Sequence, residues 1–174
     1  NVPIWFFPYL LLTPFFPPCE ASTIARSEVG TNINFVQDNE SRSNRGTLRG
    51  LHFQSYPFAQ TKLVGVSKGE ILDLIVDIRK ESKTYGKGIQ IILNDTNHFQ
   101  LLVPKGFAHG FLVLSDIAEV HYQVDNYYSS DNEFGINPFD SDLKINWILE
   151  KNQIFINDKD KSHKNLSESP IYKF

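Results

Sequence analysis

The chain has no methionine and a single cysteine, Cys19, among its 174 residues. One thiol closes no internal disulfide, so a disulfide-stapled scaffold is excluded and a reducing compartment is expected. There is no block of Lys or Arg, and the net charge is −3 with a pI near 5.9. That balance argues against a nucleic-acid-binding protein. Any phosphate site has to be built from a few placed cations. No helical pattern of 10–15 residues separates the apolar runs, which disfavours a parallel βαβ sheet. Repeats of solenoid length and low-complexity tracts are also missing. What remains is 41% hydrophobic and 21% charged, the make-up of one folded domain whose core needs no staples.

The longest apolar stretch, NVPIWFFPYLLLTPFFPPC (Asn1–Cys19), carries Pro3, Pro8, Pro14, Pro17 and Pro18. Prolines this dense remove backbone donors and break a helix, so a membrane-spanning segment is not expected. A signal peptide would need a basic n-region and a small-residue cleavage site, and neither precedes Glu20. Residues 1–30 therefore read as an atypical arm, packed or exchanged in extended form, or as a mis-assigned N-terminus. Residues 31–174 read as a single domain.

From Asn32 onward the chain reads as strands. In Ile71–Ile78 (ILDLIVDI), Leu72, Leu74, Val76 and Ile78 alternate with Asp73 and Asp77, the period-2 signature of a strand with one face in a core. Gly88–Leu93, Gln100–Val103, Ala108–Leu114 and Ala118–Val124 are further β-rich runs, separated by turn chemistry such as Lys68-Gly69 and Asn94-Asp95. Many short, evenly spaced strands predict an all-β sandwich or jelly-roll barrel. Only the region after Trp147 is polar enough for a short C-terminal helix, loop or tail.

Five histidines are present: His52, His98, His109, His121 and His163. Alternation in RGLHFQ predicts Leu48, His52 and Gln54 on one face and Arg49, Leu51 and Phe53 on the other. His109 lies between two glycines in PKGFAHGF. A lone strand histidine is ordinarily a hydrogen-bonded core residue, but two on separate strands of a barrel can share a cavity. A metal barrel of the cupin type places His-x-His on one strand; here Phe53 and Gln54 follow His52, so no metal is expected. Acid–base chemistry needs an oriented histidine and an acid acting from another direction. Tyr122, on the apolar face of Ala118, Val120 and Val124, would stay protonated and qualifies as such an acid, or equally as a core aromatic. Asp73, Asp77 and Asp160 are candidate partners for a histidine, and Lys62, opening KLVGV, could stabilise an oxyanion or reach solvent. The residues alone describe a β-barrel with a polar, histidine-bearing cavity and name no reaction.

Three longer blocks are more specific: FVQDNESRSNRGTLRGLHFQ (Phe35–Gln54), KLVGVSKGEILDLIVDIRKESKTYGK (Lys62–Lys87) and LVPKGFAHGFLVLSDIAEVHYQVDNYYS (Leu102–Ser129). With Glu133, the DLKINW segment and Lys159-Asp160, they resemble the dTDP-4-dehydrorhamnose 3,5-epimerase family over about residues 32–160. The resemblance implies a cupin-like jelly roll, a homodimer in the cytoplasm, and no metal or organic cofactor. It implies epimerisation of dTDP-4-dehydro-6-deoxy-D-glucose at C3 and C5 to dTDP-4-dehydro-L-rhamnose. By position, His52 matches the base, Asp160 its orienting carboxylate, Tyr122 the acid and Lys62 the lysine beside the C4 oxygen. His109 matches a second cavity histidine. Gln37, Asp38, Asn39, Arg49, Glu133 and Lys159 match nucleotide- or sugar-contacting positions, and Tyr128 a tyrosine stacking on thymine. The family's N-terminal arm, roughly F-x-D-x-R-G-x-F-x-E, has no counterpart in Phe15–Gly30, where Arg26 and Glu28 lack its spacing. Two alternatives stand beside this reading: an epimerase inverting C3 or C5 alone, and a non-catalytic nucleotide-sugar-binding cupin.

Overall fold

Turn residues carry the chain between two sheets. In the computed structural model, which describes residues 12–14, 33–170 and 172–174, eleven strands are formed. They are β1 (Leu12–Pro14), β2 (Gln37–Asn44), β3 (Thr47–Gln54), β4 (Lys62–Lys68), β5 (Glu70–Asp77), β6 (Gly88–Asn94), β7 (Phe99–Val103), β8 (Phe107–Val113), β9 (Ile117–Val124), β10 (Glu133–Gly135) and β11 (Phe155–Ile156). One short helix, α1 (Asp158–Lys161), follows them. The first sheet runs β1-β7-β4-β9-β2; the second runs β10-β3-β8-β5-β6, with β11 beside β3. Gly69 alone links β4 of the first sheet to β5 of the second. Its φ is +79°, and a Cβ there would lie 2.1 Å from the Ile117 carbonyl oxygen, so only glycine makes this corner. All pairings are antiparallel except β11 on β3. This is the expected all-β, cupin-like jelly roll with a short C-terminal helix.

Between the sheets lies one apolar cluster, including Val64, Val66, Ile71, Ile75, Leu101, Phe111 and Val120. The outer face of the second sheet is also covered. Leu51, Leu74 and Val76 pack under Ile136, Leu143 and Leu166, and Leu48, Leu72 and Leu112 under Phe139, Trp147 and Ile156. The region after Ser129 is therefore a lid on the sheet rather than a tail. It corrects the one-sided reading of β5, which is buried on both faces: Ile71, Asp73, Ile75 and Asp77 point inward, opposite Leu72, Leu74 and Val76. Burial on both faces is why this strand is close to continuously apolar.

Two acidic residues of β5 have different fates. Asp77 accepts hydrogen bonds from Arg79 Nε, Arg79 N, Ser82 Oγ and Thr84 Oγ1 at 2.6–3.0 Å, which ties the VDIRKESKT loop into one knot. Although burial works the other way, these donors hold its carboxyl well below the usual range. That motif is structural. Asp73 belongs to the interior, described below.

The faces of β3 also differ from simple alternation. The register pairs Arg49 with Phe111 but His52 with His109, so three residues of β3 span two of β8. This β-bulge sits at Gly50, φ +112°, where a Cβ would lie 2.7 Å from Gly110 Cα. The extra residue brings Arg49 onto the same interior face as His52, and sends Leu48, Leu51 and Phe53 together to the outer clusters.

At the N-terminus, Leu12–Pro14 add to β7 through Leu101, Gln100 and Phe99 of the same chain. The rest of the expected arm, including Cys19, Arg26 and Glu28, lies outside the described residues. No helix among the described residues is long and apolar enough to cross a membrane.

Candidate active site

The apolar core does not fill the whole space between the sheets. At one end a cavity of about 310 Å³ opens, lined by Gln37 and Asn39 of β2, His52 and Gln54 of β3, Lys62 of β4, Tyr122 and Val124 of β9, and Gln60, Tyr128 and Glu133. Polar side chains from both sheets converge on it. His52 comes from the second sheet and Tyr122 from the first, so they reach the cavity from opposite walls.

His52 is held from behind. Its Nε2 lies 2.7 Å from Asp160 Oδ1, and the second oxygen, Oδ2, accepts the Gly50 N–H at 3.0 Å. The His52 side chain is 27% exposed and that of Asp160 only 1%. Asp160 is set in place by Asn157, which caps α1 by accepting the Asp160 N–H at 2.8 Å. Burial alone would raise the Asp160 carboxyl pKa, but the His52 and Gly50 donors hold it below the ordinary value. An ionised carboxylate only accepts, so it selects the Nε2–H tautomer and leaves the lone pair of His52 on Nδ1.

Tyr122 and Lys62 are shifted in complementary ways. Burial pushes the Tyr122 phenol up, with Arg49 opposing and Glu133 adding, so it carries its proton at neutral pH. Burial pulls the Lys62 ammonium down to about 8, against the pull of Glu133 and Asp73, which favour its charge. At the mouth, Glu133 accepts from Lys159 Nζ and from Tyr128 Oη at 2.9 Å. Those donors keep its carboxyl low although burial alone would raise it.

Behind this layer stands a second pair, His109 Nε2 with Asp73 Oδ1 at 2.6 Å, nearly closed to solvent. His109 faces inward next to His52 but does not line the cavity. Arg49 stands exposed on the His52 face, its Nε donating to Ser43 Oγ at 3.2 Å. Asp38 points the other way. Strand alternation puts it on the exposed face of β2, where Gln123 donates to it at 2.8 Å, so this chain's cavity does not include it.

Three neighbours were not singled out from the sequence. Gln54 is two positions beyond His52 on the same face, a signal alternation does carry. Gln60 comes from the loop before β4. His163 packs edge-on against His52 with ring centroids 5.7 Å apart, three residues past Asp160; nothing local points to it.

Comparison with known proteins identifies the family. The family model for dTDP-4-dehydrorhamnose 3,5-epimerase matches residues 16–168. The chain belongs to that family. The match begins before Asn32, where the resemblance was read, and reaches into the segment that departs from the arm motif. The chain is similar to the dTDP-4-dehydrorhamnose 3,5-epimerase of Methanothermobacter thermautotrophicus, 47% identical over 146 residues, 83% of this chain and 78% of that protein. The Shigella flexneri enzyme of the same name is 45% identical, covering 84% of this chain and 80% of the relative. The crystal structure of the Legionella pneumophila 3,5-epimerase in complex with dTDP-4-keto-L-rhamnose superposes with a TM-score of 0.86. It has 37% identity and covers 95% of this chain and 93% of that one. As a member of the 3,5-epimerase family, the chain is an isomerase.

Proposed function

We propose that the cavity inverts C3 and C5 of dTDP-4-dehydro-6-deoxy-D-glucose, giving dTDP-4-dehydro-L-rhamnose, by proton removal on one ring face and return on the other. The observation that carries this reading is the placement of a carboxylate-oriented histidine and a protonated tyrosine on facing sheets of one cavity.

The chemistry follows from the C4 ketone, which acidifies the protons on both neighbouring carbons. His52 Nδ1 takes the proton from C3 or C5, and the electron pair moves into an enolate on O4. Asp160 stabilises the imidazolium that forms. Lys62 is the cation available for the enolate oxygen; its depressed pKa reflects the same burial that strengthens its field there. Tyr122 then protonates the carbon from the opposite side, the ketone returns and the configuration is inverted. Proton exchange with water then frees His52 and reprotonates Tyr122, and repetition at the second carbon completes the product.

The nucleotide needs few cations. Arg49 and Lys159 are assigned to the diphosphate, where the planar Arg fork suits paired oxygens. Tyr128, half out of the protein at the cavity mouth, is assigned to the thymine ring, and Gln37, Asn39 and Glu133 to sugar hydroxyls. His109 and Asp73 support the cavity from behind. A homodimer and a cytoplasmic location, where nucleotide sugars are made, complete the proposal.

Deuterium wash-in tests it. The protein is incubated with the substrate in D₂O and C3 and C5 are followed by NMR. Exchange with inversion at both carbons is expected; exchange at one carbon would make this a mono-epimerase, and binding without exchange a sugar-binding cupin.

A further inference from the structure

We propose that His52, Asp160 and His163 form a binding site for a zinc-like divalent ion, and that its occupancy silences the base. The juxtaposition carries it. One ligand atom from each of the three residues lies within 4.8 Å of the other two, and Asp160 is the buried member of the set. A His-x-His pattern on one strand does not describe this set, because two of its three ligands, Asp160 and His163, come from the C-terminal segment.

A second observation concerns His163 itself. Its Nδ1 is buried without a hydrogen-bond partner among the described residues. Its ring lies over Gly135, the residue paired with His52 across β10 and β3. A Cβ at Gly135 would come within 2.0 Å of the His163 ring, so the glycine leaves the space that the imidazole occupies. A ring with one nitrogen in need of a partner thus stands beside an ionised carboxylate and a second imidazole.

The donor set selects the ion. Two imidazoles and one carboxylate suit Zn²⁺ or Co²⁺, whereas Mg²⁺ and Ca²⁺ prefer oxygen ligands throughout. Bonds of about 2.0–2.2 Å set tetrahedral ligand atoms about 3.4 Å apart, so the 2.7 Å contact between His52 and Asp160 opens while His163 draws in. His163 can draw in because it lies beyond the end of the four-residue α1. Asp160 binds through Oδ1 and keeps Gly50 N–H on Oδ2, an outer contact of the kind that orients metal ligands. Glu133 supplies further negative charge nearby, and Lys159 opposes it.

The consequence for catalysis is a change of tautomer. Zn²⁺ takes the place of the Nε2 proton, between His52 and Asp160. The neutral ring then carries its proton on Nδ1, and the lone pair that would remove the substrate proton is gone. This consequence rests on the reading of His52 as base; the binding does not.

The test uses the full chain, stripped with a chelator and titrated with ZnCl₂ against a chromophoric competitor. One Zn²⁺ per chain is expected, with turnover falling as the site fills, recovery on adding EDTA, and no response to Mg²⁺. Loss of an outer-shell partner already weakens metal binding about 10–100-fold, so His163→Ala should weaken it at least as much, and ZnCl₂ should lower the turnover of the wild type but not that of the variant relative to each protein's own metal-free rate. If the wild type binds no Zn²⁺, or His163→Ala binds it equally, the site is overturned. NMR of the wild-type imidazoles needs no variant: Zn²⁺ should shift His52 and His163 and leave His98 and His121 in place, and any other pattern overturns the assignment. Binding that depends on His163 with turnover unaffected would support the site and instead overturn His52 as the base.

Discussion

Two histidine–aspartate pairs sit side by side in this barrel, and they are not equivalent. His52 and His109 face each other in register on β3 and β8, and each has a carboxylate oxygen within 2.7 Å of Nε2. The His52 side chain is 27% exposed and lines the cavity; that of His109 is 8% exposed and does not. Asp160 comes from the far end of the chain and is fully hydrogen-bonded. Asp73 comes from the adjacent strand, and its Oδ2 has no partner among the described residues. A histidine–carboxylate bond is therefore not a function in itself. In the proposed mechanism the first pair presents a lone pair to substrate. The second places a buried negative charge where it favours the Lys62 ammonium, against the desolvation that would neutralise it. One pair is proposed as the base, and the other favours a cation.

The largest effect should separate the two histidines directly. His52→Ala is expected to lower kcat/KM by about 10²–10⁴-fold and to abolish wash-in at both carbons. His109→Ala should cost far less; equal losses would erase the distinction. Tyr122→Phe is expected to fall toward the lower end of that range, about 10²-fold, because the phenol acts only in returning the proton. Exchange should survive better than inversion, which NMR in D₂O resolves. Lys62→Met removes the cation at O4 and should cost about 10²–10³-fold in kcat, with a smaller change in KM.

The Lys62 pKa near 8 gives a pH prediction. The ammonium is present below that value and lost as pH rises through it, so activity should decline on the alkaline side around pH 8. Asp73→Asn removes a charge that raises this pKa, so the alkaline limb should move to lower pH in a kcat/KM profile. The limb staying in place would show that the second pair does not reach Lys62. The same variant should lower stability by about 1–3 kcal/mol, read by thermal unfolding, because it disturbs a buried hydrogen-bonded carboxylate.

Much of the site was legible because the relevant signals are local. Lys62 opens its strand as read, and Tyr122 lies on the face of Ala118 and Val120. Asp73 and Asp77 were visible as polar breaks in an apolar strand, but alternation alone could not show that Asp77 ties a loop while Asp73 meets a histidine. Arg49 was placed opposite His52 because a bulge moves the phase by one residue without leaving a signature beyond a glycine. Asp38 matches a contact position by resemblance, yet it alternates away from this chain's cavity. His163 was invisible as a neighbour of His52, since its position depends on how the C-terminal segment docks.

The sequence by itself determined the central strands β3 to β9, the turns that separate them and the family, because period-2 patterning, glycine corners and motif order are properties of neighbouring residues. The resemblance had paired Asp160 with His52; only the tertiary structure decided that Asp73 meets His109 and which residues share the cavity. Those choices depend on one bulge at Gly50, where β3 pairs with residues 57–62 positions away, and on a short helix packed against β3 from 108–110 positions away, which no local pattern encodes.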